Sequence, residues 1–160
     1  NFTNYKLSDK AKSYITTSRY YLGGYNTSNV KTTAMYNYER GTLRYKTDKP
    51  LYWDGMVGLM YPSDYGYAAG NTCVNGTKLY DYDGGCMNKD WLYISKTYQW
   101  LMSPNSGNSN IAFFVFSGGY VRYDGYSVDD ARSASPVFYL NSSTSITDGT
   151  GTSSDPYIVK

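Results

Sequence analysis

The residues able to hold a metal ion are few and poorly spaced. Asp81-Tyr82-Asp83-Gly84 has the alternating carboxylates that open a calcium loop, where hard oxygens converge on one ion. No acidic residue follows at the far end of a twelve-residue loop, so a solvated turn is the plainer reading. Asp124 with Asp129-Asp130 forms a second exposed-looking carboxylate cluster. No metal and no cofactor are expected, with Asp81, Asp83 and Asp124 as weak candidate ligands. Histidine is absent, which removes the usual general base, pH switch and commonest metal ligand together. Standard Ser-His and Cys-His nucleophile arrangements are excluded with it. Paired aspartates across a cleft could still hydrolyse a glycan, although no pair stands out. Glu39, the sole glutamate, is either a buried carboxylate promoting a Lys–Asn amide cross-link or an ordinary helix-end residue paired with Arg40 or Arg44.

Cys73 and Cys86 bracket a polar, glycine-rich stretch and lack the spacing of a redox pair. A structural disulfide closing a short loop is the reading adopted, worth about 3 kcal/mol by chain entropy. It places the protein outside a reducing cytosol. Two unpaired buried thiols are the alternative.

The remaining chemistry lies in aromatic and amide side chains. The chain holds 21 Tyr against 5 Phe and 3 Trp, more than a core can bury with every hydroxyl satisfied. Tyr65-Gly66-Tyr67, Tyr80-Asp81-Tyr82, Asn105 to Asn110 and Tyr123 to Tyr126 read as loops that mix flat rings with short polar groups. Such loops suit adaptable binding faces and stack on sugar rings or apolar patches. Tyr65, Tyr67, Tyr80, Tyr82, Asn105, Asn108, Asn110, Tyr123 and Tyr126 are therefore the candidate ligand-binding residues. Equally, each such ring could fill an ordinary strand position, and the loops could simply be solvated.

These loops need a frame. With 160 residues, 41% hydrophobic and 18% charged, the chain suits one globular domain over 1–160. Net charge is +2 without a long basic run, leaving no footprint for nucleic acid. No run of about 18 apolar residues is present, so no membrane span is expected. The opening Asn1 lacks a signal-peptide pattern and suggests processing or trimming.

Gln99 to Tyr123 should form the central sheet. Ala112–Phe116 and Tyr120–Tyr123 flank Ser117-Gly118-Gly119, which predicts a hairpin, the first arm covered on both faces. Gln99–Met102 and Pro136–Leu140 are further strands for the same sheet, and Trp100, Phe114, Phe116, Leu59 and Phe138 should be buried together. A short helix is expected around Leu7–Ile15, capped by Ser8 or Asp9, and a second over about Ser28–Arg40, ended by Gly41. Ser18–Leu22 should be extended, and Met56–Tyr61 a buried strand in which Gly58 marks a bulge or close backbone contact. Asn141–Asp155 is a surface loop or a hinge into a last strand, Pro156–Val159.

Several phrases also carry a family likeness: Ala34–Gly41, Val57–Ala68, Cys73…Cys86 running into Asp90–Tyr93, Gln99–Pro104, Pro136–Leu140 and Asp148–Val159. Together they resemble a family of secreted or surface-anchored proteins of Gram-positive gut bacteria, some of them pilin-like. Relatives tend to read Ala-Arg-Pro before the Val-Phe-Tyr-Leu strand, where this chain has Ala131-Arg132-Ser133-Ala134-Ser135-Pro136. The order of elements is also similar to the C-type-lectin fold, which implies an α+β domain with two short N-terminal helices packed on a loop-rich antiparallel sheet. The surface-protein likeness, the cysteine pair, the missing catalytic motifs and the Tyr/Asn-rich loops together lead to the expectation of an extracellular, disulfide-bonded, non-enzymatic cell-surface binding or adhesion module, associated with a pilus and recognising a glycan or protein ligand through those loops. The alternatives are a structural filament subunit contacting copies of itself and, more distantly, a carboxylate-based glycan hydrolase. The Glu-Pro-Asn and Gln-Pro-Asp triplets of calcium-dependent lectins do not occur, and the cysteine placement does not suit a copper-binding formylglycine-generating enzyme.

Overall fold

The structure, a computed structural model, describes residues 7–152 and 154–160; Asn1 and Ser153 lie outside them. The chain opens with α1 (Asp9–Tyr14), whose N-cap Ser8 accepts a hydrogen bond from Ala11 N at 3.1 Å. None of its residues is buried. β1 (Ile15–Thr16) and β2 (Ser18–Tyr21) follow, β2 pairing antiparallel with β3 (Tyr52–Gly55).

The second helix, α2, spans Thr32–Glu39 rather than starting at Ser28. Backbone pairing wins over helix propensity there: Tyr80 N donates to Ser28 O and Leu79 N to Val30 O, at 3.0 and 2.9 Å. β4 is only Gly58–Leu59. Gly58 does mark a close approach, because a Cβ on it would meet the Tyr20 ring. Pro62 stops the extended run by starting a helix, where its missing N–H costs nothing. The segment that reads as loops is accordingly helical: α3 (Pro62–Ala68), α4 (Asn71–Gly76), a 3-10 turn (Leu79–Asp81) and α5 (Gly84–Met87).

Cys73 and Cys86 are disulfide-bonded, with Cα atoms 5.8 Å apart, tying α4 to α5. Thiol titration of the unfolded, unreduced protein should accordingly find no free thiol; two reactive thiols would remove the bond and the inference of an oxidising compartment.

The main sheet has the order β7-β6-β5-β8, built from β5 (Gln99–Pro104), β6 (Ala112–Val115), β7 (Val121–Arg122) and β8 (Ser133–Ala134). The β6–β7 hairpin forms as the sequence predicts, with Gly119 at φ 86°. β8 runs parallel to β5, so the sheet is mixed rather than purely antiparallel.

Pro136–Leu140 does not join this sheet. Pro136 has no N–H to continue the ladder; β9 (Pro136–Val137) pairs instead with β4, and β10 (Tyr139–Leu140) with β1. β11 (Ile146–Asp148) and β12 (Ile158–Val159) close the tail as a separate ribbon.

One core cluster lies between the helices and the inner face of the sheet. Met35, Tyr65 and Leu79 meet Leu101, Phe113 and Val121 there. The helices contributing to it are α2, α3, α4 and α5, so the expected pair of early helices on the sheet holds for α2 only. β5 alternates: Gln99, Leu101 and Ser103 face inward, while Trp100, Met102 and Pro104 are half-exposed on the outer face. Of the expected joint core, Phe114 is buried and Trp100, Phe116 and Leu59 are half-buried. Phe138 is 43% exposed, a consequence of β9 and β10 leaving the main sheet. The result is an α+β molecule with five short helices and several small, mostly antiparallel sheets among the described residues.

Candidate functional site

A cleft of about 550 Å³ opens where α3, the turn after α5 and the β9–β10 strands meet. Three aromatic residues line it: Tyr67 from α3, Trp91 from the turn and Tyr139 from β10. Trp91 is 78% exposed, and nothing in its own sequence neighbourhood covers it.

The local fold explains why this ring points outward. Asp90 is buried, its Oδ1 accepting from Leu92 N at 2.9 Å in an Asx-type turn. Tyr93 N donates to Asp90 O at 3.2 Å, and the Tyr93 hydroxyl donates to Ser117 O at 2.6 Å. Both flanks of Trp91 are thus tied down by hydrogen bonds, which leaves the indole at the surface, where it lines the cleft. The other two rings are propped from behind: Tyr36 stands edge-on to Tyr67 at 6.4 Å, and Tyr20 lies tilted against Tyr139 at 5.8 Å.

Polar groups sit beside the rings. Asp64 lines the cleft; its Oδ2 accepts from Tyr61 N at 2.9 Å, the acidic half of a capping box at the start of α3. Burial pushes the Asp64 carboxyl up from its ordinary range, opposed by the Tyr61 N–H and by the nearby Arg40 guanidinium. Ser135 also lines the cleft, its hydroxyl accepting from the buried Gln99 amide and so keeping its own proton for a ligand. Behind the cleft, burial pushes Asp90 up to about 7, against the Leu92 N–H, and its Oδ2 is buried without a hydrogen-bond partner.

The sequence-predicted site residues scatter. Tyr67 reaches the cleft. Tyr65 and Tyr82 do not face solvent at all: both are fully buried on the core side, Tyr65 donating to Gly119 O at 2.6 Å and Tyr82 to Gly66 O at 3.1 Å. Their expected loops are helix and 3-10 turn, which turns these rings into the core. Asn105 is buried and structural, donating to Tyr123 O at 3.0 Å and accepting from Gly107 N at 2.7 Å. Asn108 and Asn110 are exposed on that loop, Asn110 N donating to Asn108 Oδ1 at 2.9 Å. Tyr123 is half-buried against Phe113.

Tyr80 and Tyr126 belong to a row of rings outside the cleft. It runs from Tyr80 through Tyr120, Phe116 and Tyr98 to Tyr126, with neighbouring centroids 4.8–6.0 Å apart. Arg122 lies over Tyr80 and Arg132 over Tyr126, at 5.3 and 4.2 Å from the centroids.

The acidic candidates are occupied or isolated. Asp83 caps α5 through Gly85 N at 3.0 Å, Asp124 accepts from Arg122 at 2.8 Å, and Asp81 is exposed on the 3-10 turn. Among the described residues no three His, Cys, Asp or Glu side chains gather as a metal site.

Sequence reasoning missed Tyr139 because Pro136–Leu140 reads as a strand of the main sheet, and Trp91 because it lies in a short apolar stretch outside the Tyr-rich phrases. The Asp90-Trp91-Leu92 triplet held the one usable signal, an Asx turn that could throw the central residue outward. Compared with known family models, curated proteins and solved structures, the chain matches none.

Proposed function

We propose that this chain is a non-enzymatic bacterial cell-surface binding module of C-type-lectin-like architecture, pilus-associated and extracellular, that holds a saccharide in the Trp91 cleft. The observation carrying this reading is the convergence of three exposed rings, two of them backed by other rings, with one carboxylate and one hydroxyl around a single cavity. Pyranose rings present an apolar C–H face for stacking and hydroxyls at their edges, and this lining offers a partner for each. The charge balance favours a neutral ligand over a cation, because Arg40 already offsets Asp64. Among the described residues Asp64 is the single carboxyl lining the cleft, whereas glycoside hydrolysis by the usual route needs two. An oxidising extracellular setting fits the Cys73–Cys86 bond. No helix among the described residues is long and apolar enough to cross a membrane.

The reading is tested by a glycan array, followed by titration of the best ligand in the presence and absence of EDTA. Binding should persist with EDTA and fall at least about tenfold for Trp91→Ala, with an unchanged melting temperature, since the ring is exposed. Binding abolished by EDTA, or unaffected by Trp91→Ala, overturns the site.

A filament-subunit reading draws on a different observation: Ile146, Tyr157 and Ile158 are all more than half exposed on and beside the β11–β12 ribbon. Silence on every array together with self-assembly into fibres would favour it.

A further inference from the structure

The outer face of β5 forms a second groove, away from the Trp91 cleft. Cavities of about 340 and 300 Å³ meet at Met102 and Ala112, making one trough along the strand. Its floor is Trp100, Met102 and Pro104, the three half-exposed residues of β5. β6 pairs along one side of β5; on the other, β8 pairs with Gln99 and Trp100 and Met102 N donates to Met60 O at 2.9 Å, so a ligand here meets side chains and not a free strand edge.

Two indoles are fixed at one end. Trp100 Nε1 donates to Asp130 O at 3.2 Å and its ring stands edge-on to Phe114. Trp53 projects from β3 over Gly55, where no Cβ could fit beneath its ring, and is 46% exposed. The other end is basic. Arg44 and Lys49 line it, no acidic residue lines either cavity, and neither cation makes an ion pair or a side-chain hydrogen bond among the described residues.

We propose that this trough docks an extended, acidic-ended peptide segment of a protein partner. An extended chain directs alternate side chains to one face, which matches apolar anchors seated at the Trp53–Trp100 end and over Met102. Trp100 to Pro104 at roughly 3.3 Å per residue spans about 13 Å, room for some four extended residues. A carboxylate at the far end supplies the counter-charge that Arg44 and Lys49 lack. A neutral saccharide suits this site less well, because the floor is apolar and the cations Arg44 and Lys49 at its basic end call for a negative charge. A second copy of the chain is the competing occupant.

The test uses fluorescein-labelled hexapeptides with Leu or Phe at alternate positions and two Asp at one end or the other, and matched peptides with Lys in place of Asp. The whole chain should bind one acidic orientation saturably and at least tenfold tighter than its lysine counterpart, with affinity falling as salt rises. Lys49→Glu, an exposed change compatible with folding, should weaken binding several-fold, and the Arg44→Glu, Lys49→Glu pair should abolish it. Trp91→Ala should leave it unchanged, which separates this site from the saccharide cleft. Equal binding of acidic and lysine peptides, no binding at 1 mM peptide, or indifference to Lys49→Glu overturns the proposal. So does a dimer in sedimentation that Trp53→Asp disperses, since the groove would then belong to a second copy.

Discussion

Glu39→Ala should destabilise the fold by about 3–5 kcal/mol, a large part of the 5–15 kcal/mol typical of a domain. The Glu39 side chain is completely buried, and its Oε1 accepts from Ser63 N at 2.8 Å. Its Oε2 accepts from the Ser63 hydroxyl and from Arg40 Nη1, the latter at 3.0 Å. One carboxylate therefore joins the end of α2 to the first turn of α3 and satisfies a buried backbone N–H that has no helical partner. Alanine strands that N–H, the hydroxyl and the guanidinium together. These partners are Ser63 and Arg40, so Glu39 follows the ordinary ion-paired reading rather than the arrangement of a Lys–Asn cross-link.

Burial pushes the Glu39 carboxyl up to about 7, against Ser63 and Arg40. A folded-state value raised above the unfolded one means that the folded state binds the proton more tightly. The corresponding stability is fully present below about 4.5 and is lost as pH rises through about 7, on the order of 3 kcal/mol for this group. Asp90 acts in the same direction, from 3.8 to about 7. Urea midpoints should therefore fall between pH 4.5 and 7.5, and Glu39→Gln should flatten that slope. Stability that rises across this window, or a Glu39→Ala protein with native midpoint, would contradict the assignment.

Phe114→Ala should cost a comparable 3–5 kcal/mol. Phe114 is buried in β6 although it lies on the outer side of the sheet, because Trp100 and Tyr126 stand edge-on to it at 5.7 and 5.2 Å. Losing the ring leaves a cavity and removes two edge-to-face contacts, each worth about 0.5–1.5 kcal/mol beyond area. Chemical denaturation read by tryptophan fluorescence should show the loss along with a changed Trp100 signal. An unchanged midpoint would mean that Tyr126 does not cover the sheet.

What the sequence made legible was local. The β6–β7 hairpin, the Ser8 cap and the paired cysteines each depend on a few neighbouring residues whose chemistry has one good solution. Strand partners were harder, since Pro136–Leu140 looks apolar whether it joins the main sheet or, as found, pairs with β4 and β1. Helices α3 to α5 were read as loops because glycine and asparagine weaken the periodic signal, while a disulfide and buried tyrosine hydroxyls hold them in place. The same Tyr-rich phrases that suggested a binding face thus supplied core rings at Tyr65 and Tyr82 and a surface ring at Tyr67. Spacing alone cannot separate those fates, because the helix that decides them is set by tertiary contacts.

The β1–β10 ribbon has a mechanical consequence. Ile15 pairs with Leu140 and Thr16 with Tyr139, so the chain enters and leaves at the same end of the ribbon. Tension entering ahead of Ile15 and leaving beyond Leu140 loads these pairs one after another, as a zipper, instead of shearing them all at once. The hydrogen bonds there, including Asn141 N to Tyr14 O at 2.8 Å, yield singly and at low force. The ribbon serves as an extensible joint: a tug between the two flanking segments is spent opening it before any load reaches the disulfide-braced helices or the main sheet.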